Sequence, residues 1–128
     1  MKRENLIKQE LFKTEREIKT NGFVYLICQD KIDEYNQPTG EAETIKTIKA
    51  LYHTSNAYKK RSTAESTTTY SEKQPMLLTT YEEVKDLLNK QNLFIIVNKT
   101  RYNLIAFENV QDYNIIYDIS LEVVIDEN

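Results

Sequence analysis

From residue 113 to residue 125 every odd position is apolar or aromatic: Tyr113, Ile115, Tyr117, Ile119, Leu121, Val123 and Ile125. The even positions between them are mainly polar. A helix would scatter such a pattern around its axis, whereas a strand puts all the odd side chains on one face, so the segment predicts a long half-buried β-strand. A strand of that kind needs partners on both edges and a core against one face. In a chain of 128 residues, which suits one domain with one core, the economical solution is a small sheet that closes on itself.

The rest of the chain supplies the partners. FVYLICQD, residues 23–30, is rich in β-branched and aromatic residues with both parities apolar, and predicts a strand covered on both faces. KIDEYNQPTGE, 31–41, gathers turn formers and reads as a wide connection ending at Gly40. In 41–54 the spacing of Ile45, Ile48 and Leu51 suits a helix, while Thr44, Ile45, Thr47, Ile48 and Tyr52 favour a strand. A strand containing a bulge reconciles the change of parity. PMLLTT, 75–80, is a short strand opened by Pro75, and Thr80 with Glu83 three residues on is a capping box that starts a short helix. LFIIV, 93–97, and RYNLIAFENV, 101–110, flank Asn98-Lys99-Thr100, which matches a glycosylation acceptor but is read as a hairpin turn.

At the N-terminus, residues 4–20 predict a helix: Ile7, Leu11, Thr14 and Ile18 form one narrow stripe, and Glu4→Lys8 and Glu15→Lys19 are favourable pairs. Gly22 is expected to end it in a left-handed conformation. The charged spacing of this segment excludes a signal peptide, and no window is apolar enough for a spanning helix, so no membrane is expected. The expected fold is therefore mainly β. It is a small antiparallel β-barrel over 23–125, with an N-terminal helix, a short helix before the final hairpin and a long polar loop, in a single domain 1–128.

Chemistry is sparse. His53 is the only histidine and Cys28 the only cysteine, so a disulfide within the chain and a Cys/His zinc cluster are excluded. His53 reads as a surface or interface residue and Cys28 as a small buried hydrophobe. Asp30, Asp33, Glu34, Glu41 and Glu43 match no calcium-loop spacing and read as a solvated acidic turn. Gly22 and Gly40 are the only glycines and neither precedes Lys-Ser or Lys-Thr, which excludes a phosphate loop. Tyr102, Tyr113 and Tyr117 lie on strands, where packing is a better account than base stacking. No catalytic residue, metal or cofactor is predicted, and the chain is not expected to be an enzyme.

What is left is SNAYKKRSTAESTTTYSEKQ, residues 55–74, a polar segment too long for an ordinary connection in a compact domain. Its Lys59-Lys60-Arg61 cluster is the one dense basic run in a chain of net charge −3, so any contact with nucleic acid has to be local. Thr67-Thr68-Thr69-Tyr70 carries β-propensity with little hydrophobicity, which suits strand addition between copies.

The order of TIKALYHTS, a long polar loop, KQPMLLTTYE and a terminal YDISLEVV resembles the head-closure proteins of long-tailed bacteriophages, also called stopper, head-completion or head-tail connector proteins. The resemblance spans most of residues 23–125 and rests on order and texture. It implies a structural virion protein in the neck, made in the bacterial cytoplasm. Copies would form a homo-oligomeric ring, a hexamer or dodecamer, with adaptor and portal proteins above and tail proteins below. The loop would meet packaged double-stranded DNA, with Tyr58, Lys59, Lys60 and Arg61 facing the channel and Thr67, Thr68, Thr69 and Tyr70 pairing between subunits. The helix over 4–20 departs from the smallest members, which start almost at the barrel. The alternatives are a tail-completion or terminator protein and a nucleic-acid-binding β-barrel.

Overall fold

The computed structural model describes residues 3–62 and 67–125, with residues 56–72 described through backbone pairing alone. The elements follow in the order α1 (Arg3–Asn21), β1 (Phe23–Ile32), β2 (Pro38–Ser62), β3 (Thr67–Thr80), α2 (Tyr81–Val84), β4 (Leu93–Val97), β5 (Thr100–Asn109) and β6 (Ile116–Val123). All strand pairings are antiparallel, and the six strands close into a ring in the order β1-β2-β3-β6-β5-β4. Two three-stranded meanders, β1-β2-β3 and β4-β5-β6, thus face each other and join along β3–β6 and β1–β4. The mainly β fold expected from the sequence is present.

Local chemistry accounts for the connections. Asn98 and Lys99 both have positive φ (50° and 67°), as a two-residue turn of type I′ requires, so the β4–β5 hairpin forms where the sequence indicates it. Between β1 and β2, Asp33 Oδ1 accepts from the amides of Tyr35 and Gln37, and Asn36 takes φ 60°, which makes the turn tighter than the eleven-residue connection expected. The expected bulge lies at Ile45: Ile27 pairs with Lys46 but Cys28 pairs with Thr44. A bulge in β5, at Ile105, keeps Leu104 and Phe107 both against the core.

Inside the ring Ile27, Ile48, Ala50, Leu77, Leu93, Ile95, Tyr117, Ile119 and Leu121 are buried together. One end is plugged by the α2 turn. Thr80 caps it by accepting from the Glu83 amide, Val84 and Leu87 enter the core, and Lys46 reaches Asp86 at 3.2 Å. Residues of opposite parity on β2, β3 and β6, namely Leu51, Leu78 and Ile116, form a second cluster outside the ring with Ile7, Leu11 and Ile18 of α1. The narrow helical stripe therefore lies on its own barrel. Ile18 is fully buried there, an interaction that contributes roughly 2 kcal/mol.

Four expectations are corrected. Gly22 does not have a positive φ; its amide donates to Ile18 O at 2.8 Å, and a Cβ at this position would stand 2.4 Å from that oxygen, so the residue is needed for close approach. The last strand begins at Ile116, because the positive φ values of Gln111, Asp112 and Asn114 hold the preceding residues in turns. β1 is not covered on both faces: Tyr25 and Ile27 turn inward, but Val24 and Leu26 on the other parity are exposed, as is Phe23 at the start of the strand. Cys28 shares that outer parity and is only half-buried, with Sγ 3.7 Å from Thr44 Oγ1.

Candidate functional site

The segment 55–74 differs most from its expected form. Its backbone is paired: β2 and β3 run on past the ring as one antiparallel ribbon, with every residue from Ala50↔Thr79 to Ser62↔Thr67 in register. β2 has β1 as its other neighbour only up to Ala50, and β3 has β6 only from Met76. Nine pairs, from Thr54↔Pro75 to Ser62↔Thr67, therefore have no further strand beside them among the described residues. That is a free ribbon roughly 30 Å long.

The sequence explains why such a ribbon forms and why it resembled a loop. Antiparallel pairing satisfies the backbone of both arms without needing a buried face. Polar residues with β-propensity, Thr67–Tyr70 among them, are compatible with that arrangement. Pro75 lies within β3 rather than at its start, at the first position beyond β6, where a missing amide hydrogen breaks no ladder.

The register fixes the backbone positions of the predicted residues. Tyr58 pairs with Ser71, Lys59 with Tyr70, Lys60 with Thr69 and Arg61 with Thr68. The two halves of the segment thus lie side by side near the far end of the ribbon, and Thr67–Tyr70 already has a partner strand within its own chain. Its outer edge is the one open to a second copy. The side chains of these residues, and residues 63–66 at the tip, lie outside what is described.

At its root the ribbon is braced to β6. His53 Nε2 lies 2.9 Å from Asp118 Oδ1 across β3, and Gln74 Nε2 donates to Leu121 O. The end of the ring from which the ribbon leaves is lined by Tyr25, Tyr52 and Tyr102. The Tyr52 and Tyr102 rings meet edge to face at 6.5 Å, and burial followed by the neighbouring phenols raises the pKa of Tyr25 and Tyr52. The raised values keep the phenols of Tyr25 and Tyr52 neutral at physiological pH.

The other candidates are engaged in structure. Asp30 is held by Arg101 and Asp33 by its turn, and no group of three metal-ligating side chains occurs among the described residues. Tyr117 is buried with its ring 5.9 Å from Tyr81, and Tyr113 lies under Lys8 Nζ at 5.4 Å, so neither is free to stack on a base. Two features escaped the sequence. The pairing of Arg101 with Asp30, 71 residues apart, has no sequence signal. The exposed outer face of β1 was hidden because both of its parities are apolar. No helix among the described residues is long and apolar enough to cross a membrane. No known protein-family model matches the chain, and no curated protein matches it.

Proposed function

We propose that this chain is a head-closure protein of a long-tailed bacteriophage. In this reading it is a structural subunit of a ring at the head–tail interface, and its ribbon reaches into the channel to retain packaged DNA. The single observation that carries the reading is the free ribbon. A gate built from several copies needs an arm long enough to reach an axis and stiff enough to hold its charges there, and a paired ribbon of roughly 30 Å meets both needs better than a loop.

Lys59, Lys60 and Arg61 lie near the far end of that arm, where copies converging on an axis would multiply three weak phosphate contacts. The outer edge of Thr67–Tyr70 would take a strand from the neighbouring copy. The barrel with its packed α1 is the body that adaptor and tail proteins would contact.

The test is a shortened ribbon. Replacing Tyr58–Ser71 by Asn-Gly leaves Ala57 and Glu72 joined by a two-residue turn and leaves the core untouched. Virions assembled with this variant should package DNA and then lose it, while the purified variant keeps its fold. Full and stable heads would rule out the gate.

A further inference from the structure

We propose that Asn21-Gly22 is a site of spontaneous deamidation held in check by the docking of α1, and that its isoaspartyl product stops the helix from docking again. In an Asn-Gly pair the backbone nitrogen of the glycine can attack Cγ of the asparagine, because glycine has no side chain to hinder the approach. The nitrogen gives up its proton, the Cγ–Nδ2 bond breaks, ammonia leaves and a cyclic imide forms. Water then opens the imide at either carbonyl, which leaves aspartate or, with the chain now running through Cβ, isoaspartate. Nothing is oxidised or reduced, and water is the only co-reactant. Asn21-Gly22 is the one Asn-Gly in the chain, whereas Asn36, Asn92, Asn98 and Asn114, all at positive φ, precede Gln37, Leu93, Lys99 and Ile115.

The docked helix opposes the first step in three ways. Asn21 is the last residue of α1, and its helical backbone holds the Gly22 nitrogen away from its own Cγ. The proton that this nitrogen must lose is donated to Ile18 O at 2.8 Å. Gly22 is also wedged: a Cβ there would stand 2.4 Å from Ile18 O and 3.3 Å from Ala50 N, so the junction has no slack for bringing the two atoms together. Asn21 itself is exposed, and water reaches it freely. Only lifting the end of α1 from the barrel releases the geometry. That end is fastened by Ile18, fully buried in the cluster with Leu51 and Leu78, and by the bond from Lys49 Nζ to Lys19 O. The rate of the folded protein is therefore the free-chain rate multiplied by the fraction of molecules with this end undocked.

The two products differ in what they do next. Aspartate leaves the main chain as it was, and α1 can return. Isoaspartate adds Cβ to the main chain at the one junction where an extra carbon has no room, so Gly22 cannot reach Ile18 O and pass β2 as before. The helix then stays away, and Leu51, Leu78, Ile115 and Ile116 lose their cover. A fluctuation that is ordinarily reversible becomes permanent. The inference concerns this junction alone and stands whether or not the head-closure reading does.

The experiment is ageing of the purified full chain at mildly alkaline pH, with isoaspartate at residue 21 followed by peptide mapping beside a free peptide of residues 17–27. The wild type should react a hundredfold or more slowly than the peptide. Ile18→Ala should react about thirtyfold faster than the wild type, the factor that corresponds to about 2 kcal/mol of lost docking, and Leu51→Ala should move the same way. Ile95→Val, a core change on β4 away from α1, should react as the wild type, and circular dichroism melts will show which variants fold. Hydrogen exchange on the separated isoaspartyl form should find α1 unprotected with Ile119 still protected, while Asn21→Asp keeps α1 docked. A wild type as fast as the peptide, folded Ile18→Ala and Leu51→Ala no faster than the wild type, or an isoaspartyl form whose α1 stays protected would overturn the proposal.

Discussion

Arg101 lies across the ring of Phe94, its guanidinium carbon 3.8 Å from the ring centre, and grips both carboxylate oxygens of Asp30. The contact runs from β5 over β4 to β1, across the seam that only two strand pairs hold. It works as a strap on the outside of the barrel, and Phe94 is nearly fully buried beneath it.

Cutting the strap should loosen the seam before it unfolds the core. Both side chains are partly solvated, so screening limits the pair, and Asp30→Ala should cost about 1 kcal/mol by urea denaturation, less at high salt. The local sign is hydrogen exchange: the Asp30 amide, bonded to Asn92 O, should exchange faster while that of Ile119 keeps its protection. Arg101→Lys should rescue little, because an ammonium cannot make the paired contact or lie flat on Phe94. Uniform loss of protection across the barrel would show that the strap is not local.

Gly22→Ala should be costly for a reason unrelated to helix propensity. The added Cβ would stand 2.4 Å from Ile18 O and 3.3 Å from Ala50 N, both backbone atoms that cannot turn aside. The end of α1 would have to move away from β2, straining the bond from Lys49 Nζ to Lys19 O and the burial of Ile18. We expect a loss of about 1–3 kcal/mol in thermal unfolding. An unchanged melting temperature would show that this junction yields.

How much of this could be read beforehand depended on whether the signal was local. The hairpin at Asn98-Lys99-Thr100, the Thr80 cap and the stripe of Ile7, Leu11 and Ile18 depend on neighbours in sequence, and each forms as expected, except that Thr100 joins β5 and leaves a two-residue turn. The ribbon was hidden because its arms are polar and its tip has no glycine or proline, so neither burial nor turn chemistry marked it as paired. The β1 edge was misread for the opposite reason. Apolar residues of both parities ordinarily mean cover on both faces, and here the second face has none among the described residues.

Tyr117 makes the barrel sensitive to alkali. Its pKa is raised above the ordinary 10.0, chiefly by burial and then by Tyr81 and Asp112. A raised folded-state pKa means that the neutral phenol is the form the fold prefers. Its contribution is fully present below about pH 10 and is lost as pH rises through the folded value. Tyr25 and Tyr52, raised by burial in the same direction, add to the effect. Stability measured by denaturation should stay level from this cause up to about pH 10 and fall beyond it, and Tyr117→Phe should make the fall shallower. An identical alkaline limb in the variant would remove Tyr117 from the account.

Binding of the free protein to DNA separates a gate from a nucleic-acid-binding barrel. The chain carries a net charge of −3, and its one dense basic run is Lys59-Lys60-Arg61, so an unassembled copy has at most a few phosphate contacts to offer. Three contacts at about 0.9 each predict a log–log salt slope near −2.7 on duplex DNA, with affinity weak at physiological salt. Changing Lys59, Lys60 and Arg61 to Glu should abolish even that and, within the gate reading, should make assembled heads leak. A barrel that binds nucleic acid through its wall would instead bind tightly as the free protein, with a steeper slope that outlasts the triple change. Filter binding at several salt concentrations decides between them, because a gate's affinity depends on how many copies share one axis, whereas a barrel's belongs to each copy alone.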